Sequence, residues 1–146
     1  MLTCINLFSE GIPYRRDLDE LGVINTRAVT DLGLWCSHNS PVIVQVIMTH
    51  PIFGTVIPLL LTEAQGVIID SIVRPNNAII VGPFVWRIAN GLEVRVWPIH
   101  SQRITWGILR AALSATYAAM MANRGGGVGV IRIYDGVIEV ARGLIG

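Results

Sequence analysis

The sequence predicts a single α+β domain, a mainly antiparallel sheet of about six strands with two helices packed on one of its faces. Three observations predict it. Runs rich in β-branched residues recur along the chain, Asn90-Gly91 and Asp135-Gly136 supply two short hairpin turns, and two stretches of helical spacing each begin at a threonine.

Taken in order, residues 1–40 carry little periodicity and read as an arm that packs on the body through Trp35 and several aliphatic residues. Within it, Arg16-Asp17-Leu18-Asp19-Glu20-Leu21, closed by Gly22, has the acidic first turn and glycine stop of a short helix. Residues 42–48 are VIVQVIM, an unalternating run expected of a strand buried on both faces. Thr49 to Gly54 is a loop, and residues 55–60 read as a second strand, placed at an edge by Pro58.

Thr62-Glu63-Ala64-Gln65 has the form of a capping box, and Ala64, Val67, Ile68 and Ile72 follow at helical spacing up to Pro75. The same residues, 63–73, also admit a strand; the capping signal favours the helix. Residues 79–89 and 92–97 then flank Asn90-Gly91. Thr105 is the next N-cap, with Ile104 and Leu109 spaced as a hydrophobic staple. Leu109, Ala112, Leu113, Thr116, Tyr117 and Met120 form one stripe of this helix. Ala111, Ser114, Ala115, Ala118 and Ala122 form a second, small-residue face. Residues 128–134 and 137–142 flank the Asp135-Gly136 turn.

Two-residue turns would fix register. Around Asp135-Gly136, Ile131, Ile133, Ile138 and Val140 then face the helices, and Arg132, Tyr134, Val137 and Glu139 face away. Around Asn90-Gly91, Trp86 opposes Arg95 and Phe84 opposes Trp97. Val85, Leu92, Val94 and Val96 then share the helix side with Arg87, and Phe84, Trp86, Ile88, Trp97, Glu93 and Arg95 share the other. An aromatic face that also carries charge has three readings: the true core, a subunit interface, or the wall of a ligand cavity.

Composition narrows the chemistry. The 146 residues are 52% hydrophobic and 14% charged, against a usual charged share of about 25%. Much surface is therefore apolar or covered, and a homo-oligomer is expected. The net charge of +1 gives no field for a polyanion, so nucleic acid is not an expected partner. The chain has no lysine, which rules out Schiff-base chemistry. Cys4 and Cys36 are read as two isolated thiols of a reducing, cytoplasmic protein without a secretory signal. Residues 32–62 lack charge, yet Pro41, Pro51, Pro58, Gly54 and Gln45 interrupt them well short of the roughly 18 apolar residues of a spanning helix.

His38, His50 and His100 have no metal spacing, and Arg124-Gly125-Gly126-Gly127-Val128-Gly129 follows a helix where a phosphate loop would precede one. It reads as a flexible turn, and no cofactor is expected. What remains is a hydrophobic small molecule. Phe84, Trp86, Trp97, Arg132 and Tyr134 are its expected contacts. Arg95 would donate to a ligand oxygen, with Glu93 or His50 as a proton-transfer group. A cofactor-independent cyclase or isomerase is the expected activity, with a non-catalytic ligand-binding or oligomeric interaction protein as the alternative.

Ile104-Thr105-Trp106-Gly107-Ile108-Leu109-Arg110-Ala111-Ala112-Leu113, followed by Ile133-Tyr134-Asp135-Gly136, resembles small uncharacterised fungal proteins with a T-W-G-x-L-R helix before a final D-G hairpin. The resemblance spans the C-terminal third and implies a fungal, secondary-metabolic setting. It carries over no catalytic residue.

Overall fold

The computed structural model describes residues 30–37, 40–73 and 78–146. In chain order these form β1 (Thr30–Cys36), β2 (Val42–Pro51), α1 (Val56–Val73), β3 (Phe84–Arg87), β4 (Glu93–Pro98), α2 (Trp106–Ala122), β5 (Gly127–Asp135) and β6 (Ile138–Ile145). The six strands make one antiparallel sheet of order β1-β2-β5-β6-β4-β3. Both helices join one core with the inner face of that sheet. The short helix expected at 16–21 lies outside the described residues.

The succession of hairpin, helix, hairpin, helix, hairpin is as predicted, but the first hairpin is built from different residues. Residues 55–60 are not an edge strand; they open α1. Pro58 falls in the first helical turn, where a missing N–H removes no intrahelical bond. Leu59 N donates to Thr55 O at 2.9 Å, which begins the helix seven residues before the expected capping box. Thr62 is consequently an exposed mid-helix residue, and Gln65 Nε2 donates to Leu61 O within the helix at 3.3 Å. Ile57, Leu60, Leu61, Ala64 and Ile68 are fully buried, so the β-branched run serves a buried helix.

The sixth strand comes instead from the presumed arm. β1 lies along β2 with Trp35 opposite Val44 and Cys36 opposite Ile43. A bulge at Leu32 shifts its register, with Gly33 at φ 89° and its N–H donating to Asp31 Oδ1 at 2.8 Å. Cys36 is disulfide-bonded, which corrects the reading of two isolated thiols; the chain's other cysteine, Cys4, lies outside the described residues. The ground for placing the chain in a reducing compartment falls with it.

α2 follows its sequence closely. Thr105 caps it by accepting from Ile108 N at 3.2 Å, and both staple residues, Ile104 and Leu109, are buried. The buried set is wider than one stripe, since Ala115 and Ala119 are covered as well as Leu113 and Met120. Small side chains let α2 touch both α1 and the sheet. Thr116 lies inside this core and satisfies its hydroxyl on Ala112 O at 2.8 Å. The glycine run after α2 is a site of close packing and not a flexible turn: Gly125 is at φ 93°, and a Cβ there would strike the Gly54 carbonyl.

Two registers differ from prediction, and they decide the site. At the β3–β4 hairpin, Phe84 opposes Val96, Val85 opposes Arg95, Trp86 opposes Val94 and Arg87 opposes Glu93. The loop is one residue longer than the two-residue turn, with Ile88 N donating to Leu92 O and Gly91 at φ 91°. A one-residue slip exchanges faces on one strand relative to the other. Phe84 and Trp86 therefore join Val94 and Val96 beneath the helices, and Phe84 meets Trp106 edge-on at 6.1 Å between ring centroids. At the β5–β6 hairpin, Asp135 opposes Ile138 and Tyr134 opposes Glu139, with a bulge after which Ile133 opposes Ala141. Ile131, Ile133 and Val140 are buried as expected, whereas Ile138 is exposed.

Candidate functional site

The face of the sheet away from the helices is assembled from alternate residues of each strand. Arg132 and Tyr134 come from β5, Glu139, Arg142 and Leu144 from β6, Glu93, Arg95 and Trp97 from β4, and Val85 and Arg87 from β3. Their inward neighbours (Ile131, Ile133, Ala141, Val94 and Val96) are all fully buried, which fixes the orientation of each strand. The β2 portion of the outer face is itself buried at Ile43, Gln45 and Ile47. The β4–β6 portion is more open.

On that open portion lies a cleft of about 640 Å³, lined by Thr49, Glu93, Arg95, Val128, Gly129, Val130, Leu144, Ile145 and Gly146. Its position follows from pairing: Glu93 and Gly146 exchange both backbone hydrogen bonds, at 3.0 and 2.9 Å, and Arg95 opposes Leu144. Val130 opposes Leu144 from the other side. The apolar strip Val128, Val130 and Leu144 thus runs beside the charged pair on β4. Thr49 closes the β2 side, with its hydroxyl donating to Val128 O at 3.2 Å.

The charges here are organised as small networks. Glu93 accepts from Arg87 at 2.6 and 3.0 Å through Oε2 and from Arg95 at 3.1 Å through Oε1. The Arg87 hydrogen bond, aided by the positive charges of both arginines, outweighs desolvation and holds the Glu93 carboxyl below its ordinary pKa. Glu139 accepts from Arg142 Nε at 2.7 Å, and that bond raises the Arg142 pKa above its ordinary value. Four arginines against two glutamates leave these groups, Arg87, Arg95, Arg132, Arg142, Glu93 and Glu139, with a net charge of +2.

Measured against the expected site, the structure divides the residues. Arg95, Glu93, Trp97, Arg132 and Tyr134 do share the outer face. Phe84 and Trp86 do not, because the longer loop at Asn90-Gly91 turns them into the core. The expected Trp86–Arg95 stacking is therefore replaced by the Arg95–Glu93 ion pair. The expected Arg132–Glu139 pairing is replaced by Arg132 opposite Arg142, because the turn lies one position later, at Gly136-Val137, which moves the partner by two residues, and the bulge in β6 moves it by one more. His50 is exposed near the end of β2 and does not line the cleft, whereas its neighbour Thr49 does.

Sequence reasoning missed Thr49, Leu144, Arg87 and Arg142. Val128 and Val130 were legible, since they alternate with Arg132 and Tyr134 along β5. No group of residues with metal-binding composition and no helix long and apolar enough to cross a membrane is present among the described residues. No protein-family model matches the chain, and neither a curated protein nor a solved structure is similar to it.

Proposed function

We propose that this protein binds a hydrophobic small molecule without transforming it, in the cleft on the outer face of the sheet. The observation that carries this reading is the apolar strip Val128, Val130 and Leu144, held beside Arg95 in a cleft of about 640 Å³. A floor of aliphatic side chains with a few fixed polar groups at one side is the usual make-up of a small-molecule site. Leu144 remains 45% exposed at its centre, so apolar surface is left for a ligand to cover.

Binding is favoured over the cyclase or isomerase expectation by the state of the acids. A general base at neutral pH needs a raised pKa and a free lone pair directed at substrate. Glu93 is instead tied to two arginines and has its pKa lowered, and Glu139 is engaged by Arg142. Arg95 keeps the role of hydrogen-bond donor.

The test uses dodecanol below its solubility limit as a neutral apolar probe, followed by tryptophan fluorescence, since Trp97 shares the face. Wild-type protein should bind it saturably. Leu144→Asp places a charge in the apolar strip and should weaken binding by about tenfold or more while leaving the circular dichroism spectrum unchanged. Equal binding by the two proteins, or none by the wild type, refutes the reading.

A further inference from the structure

We propose that the ligand of this cleft is an amphiphile whose anionic group, a carboxylate or a phosphate, is held by Arg132 and Arg142. The inference rests on the binding reading above and adds the chemical class of the ligand.

Arg132 and Arg142 are directly opposed on β5 and β6, and both point away from the core. Like charges in that position repel. Arg142 is compensated by Glu139. Arg132 has no ion-pair or hydrogen-bond partner among the described residues. On its other side Arg132 opposes Gln45 of β2, which is only 2% exposed and whose Nε2 has no hydrogen-bond partner among the described residues. Buried donors are normally satisfied, so the unpaired Gln45 amide marks this stretch of β2 and β5 as short of acceptors among the described residues. An oxyanion held at Arg132 supplies the acceptor that this guanidinium lacks, and it also relieves the repulsion between the two arginines. Guanidinium groups hold carboxylate and phosphate oxygens through paired N–H donors.

The location fits a molecule that reaches from the cleft. Arg132 and Arg142 lie two residues from Val130 and Leu144 on the same face, about 7 Å along the strands. An apolar body on the strip therefore brings an attached head group to the arginine row. The opposite side of the cleft is less suited to an anion. There both guanidinium groups, Arg87 and Arg95, are already bonded to Glu93, whereas Arg132 is unpaired among the described residues.

The experiment compares dodecanoate, dodecyl phosphate and dodecanol by titration calorimetry, each below its micellar concentration. Wild-type protein should bind at least one of the two anions about tenfold or more tightly than the alcohol, as a charge-assisted hydrogen bond predicts. Whichever anion binds better identifies the head group. Arg132→Gln should abolish the preference and leave dodecanol affinity unchanged; Arg142→Gln serves the same purpose if Arg132→Gln does not fold. Dodecanol binding without any preference for the anions overturns this inference and leaves the binding reading intact. A preference that survives both substitutions also overturns it. Failure of all three probes to bind the wild type removes the binding reading and this inference together.

Discussion

Replacing Phe84 with alanine tests the register on which the site depends. Phe84 is 7% exposed, opposes Val96 in the core and stands edge-on to Trp106. A buried phenylalanine cut to alanine loses about 3–5 kcal/mol. The aromatic contact contributes about 0.5–1.5 kcal/mol beyond buried area, which places this position toward the upper part of that range. For a chain of this size the melting temperature should fall by roughly 12–25 °C, at about 3–5 °C per kcal/mol. Urea unfolding followed by circular dichroism measures the loss. A double-mutant cycle with Val96→Ala separates the two registers further. Residues in contact couple by about 0.5–3 kcal/mol, whereas residues on opposite faces of a sheet do not touch. A Phe84→Ala loss below about 1 kcal/mol, or a cycle showing no coupling, would return Phe84 to the outer face and dissolve the site described here.

Leu113→Ala and Ile133→Ala, both fully buried, should each cost about 2–5 kcal/mol in the same urea assay. A negligible shift in either midpoint contradicts the core. Glu93 supplies a pH dependence: its folded pKa lies below the ordinary glutamate value of 4.5, so its stabilising pairing is complete above that value and is lost as pH falls through the lower, folded pKa. The stability difference between wild type and Glu93→Gln should therefore be present at neutral pH and vanish in acid, and a difference that persists at low pH rejects the ion pair as its cause. Alkylation of unreduced, denatured protein followed by peptide mapping should leave Cys36 unmodified, and modification there before reduction contradicts the disulfide.

The sequence by itself determined the fold class, the second helix with its threonine cap and staple, the core side of β5, and the outward placement of Arg132 and Tyr134. These follow from short-range rules. Periodicity selects a face, and a capping residue marks an end within a few positions. Only the tertiary structure decided that residues 55–60 turn as a helix, since a β-branched run fits a buried strand or a buried helix equally and the sheet had to be covered by something. The tertiary structure also decided the loop at Asn90-Gly91 and the bulge in β6. One extra residue at each place costs little locally yet exchanges the faces of every residue beyond it. That is why Trp86 lies in the core and why Leu144 lies in the cleft; the bulge, together with a turn placed at Gly136-Val137, is why Arg132 meets Arg142 instead of Glu139. A two-residue period carries side-chain direction faithfully along a strand, but it cannot carry it across a turn whose length the sequence leaves open.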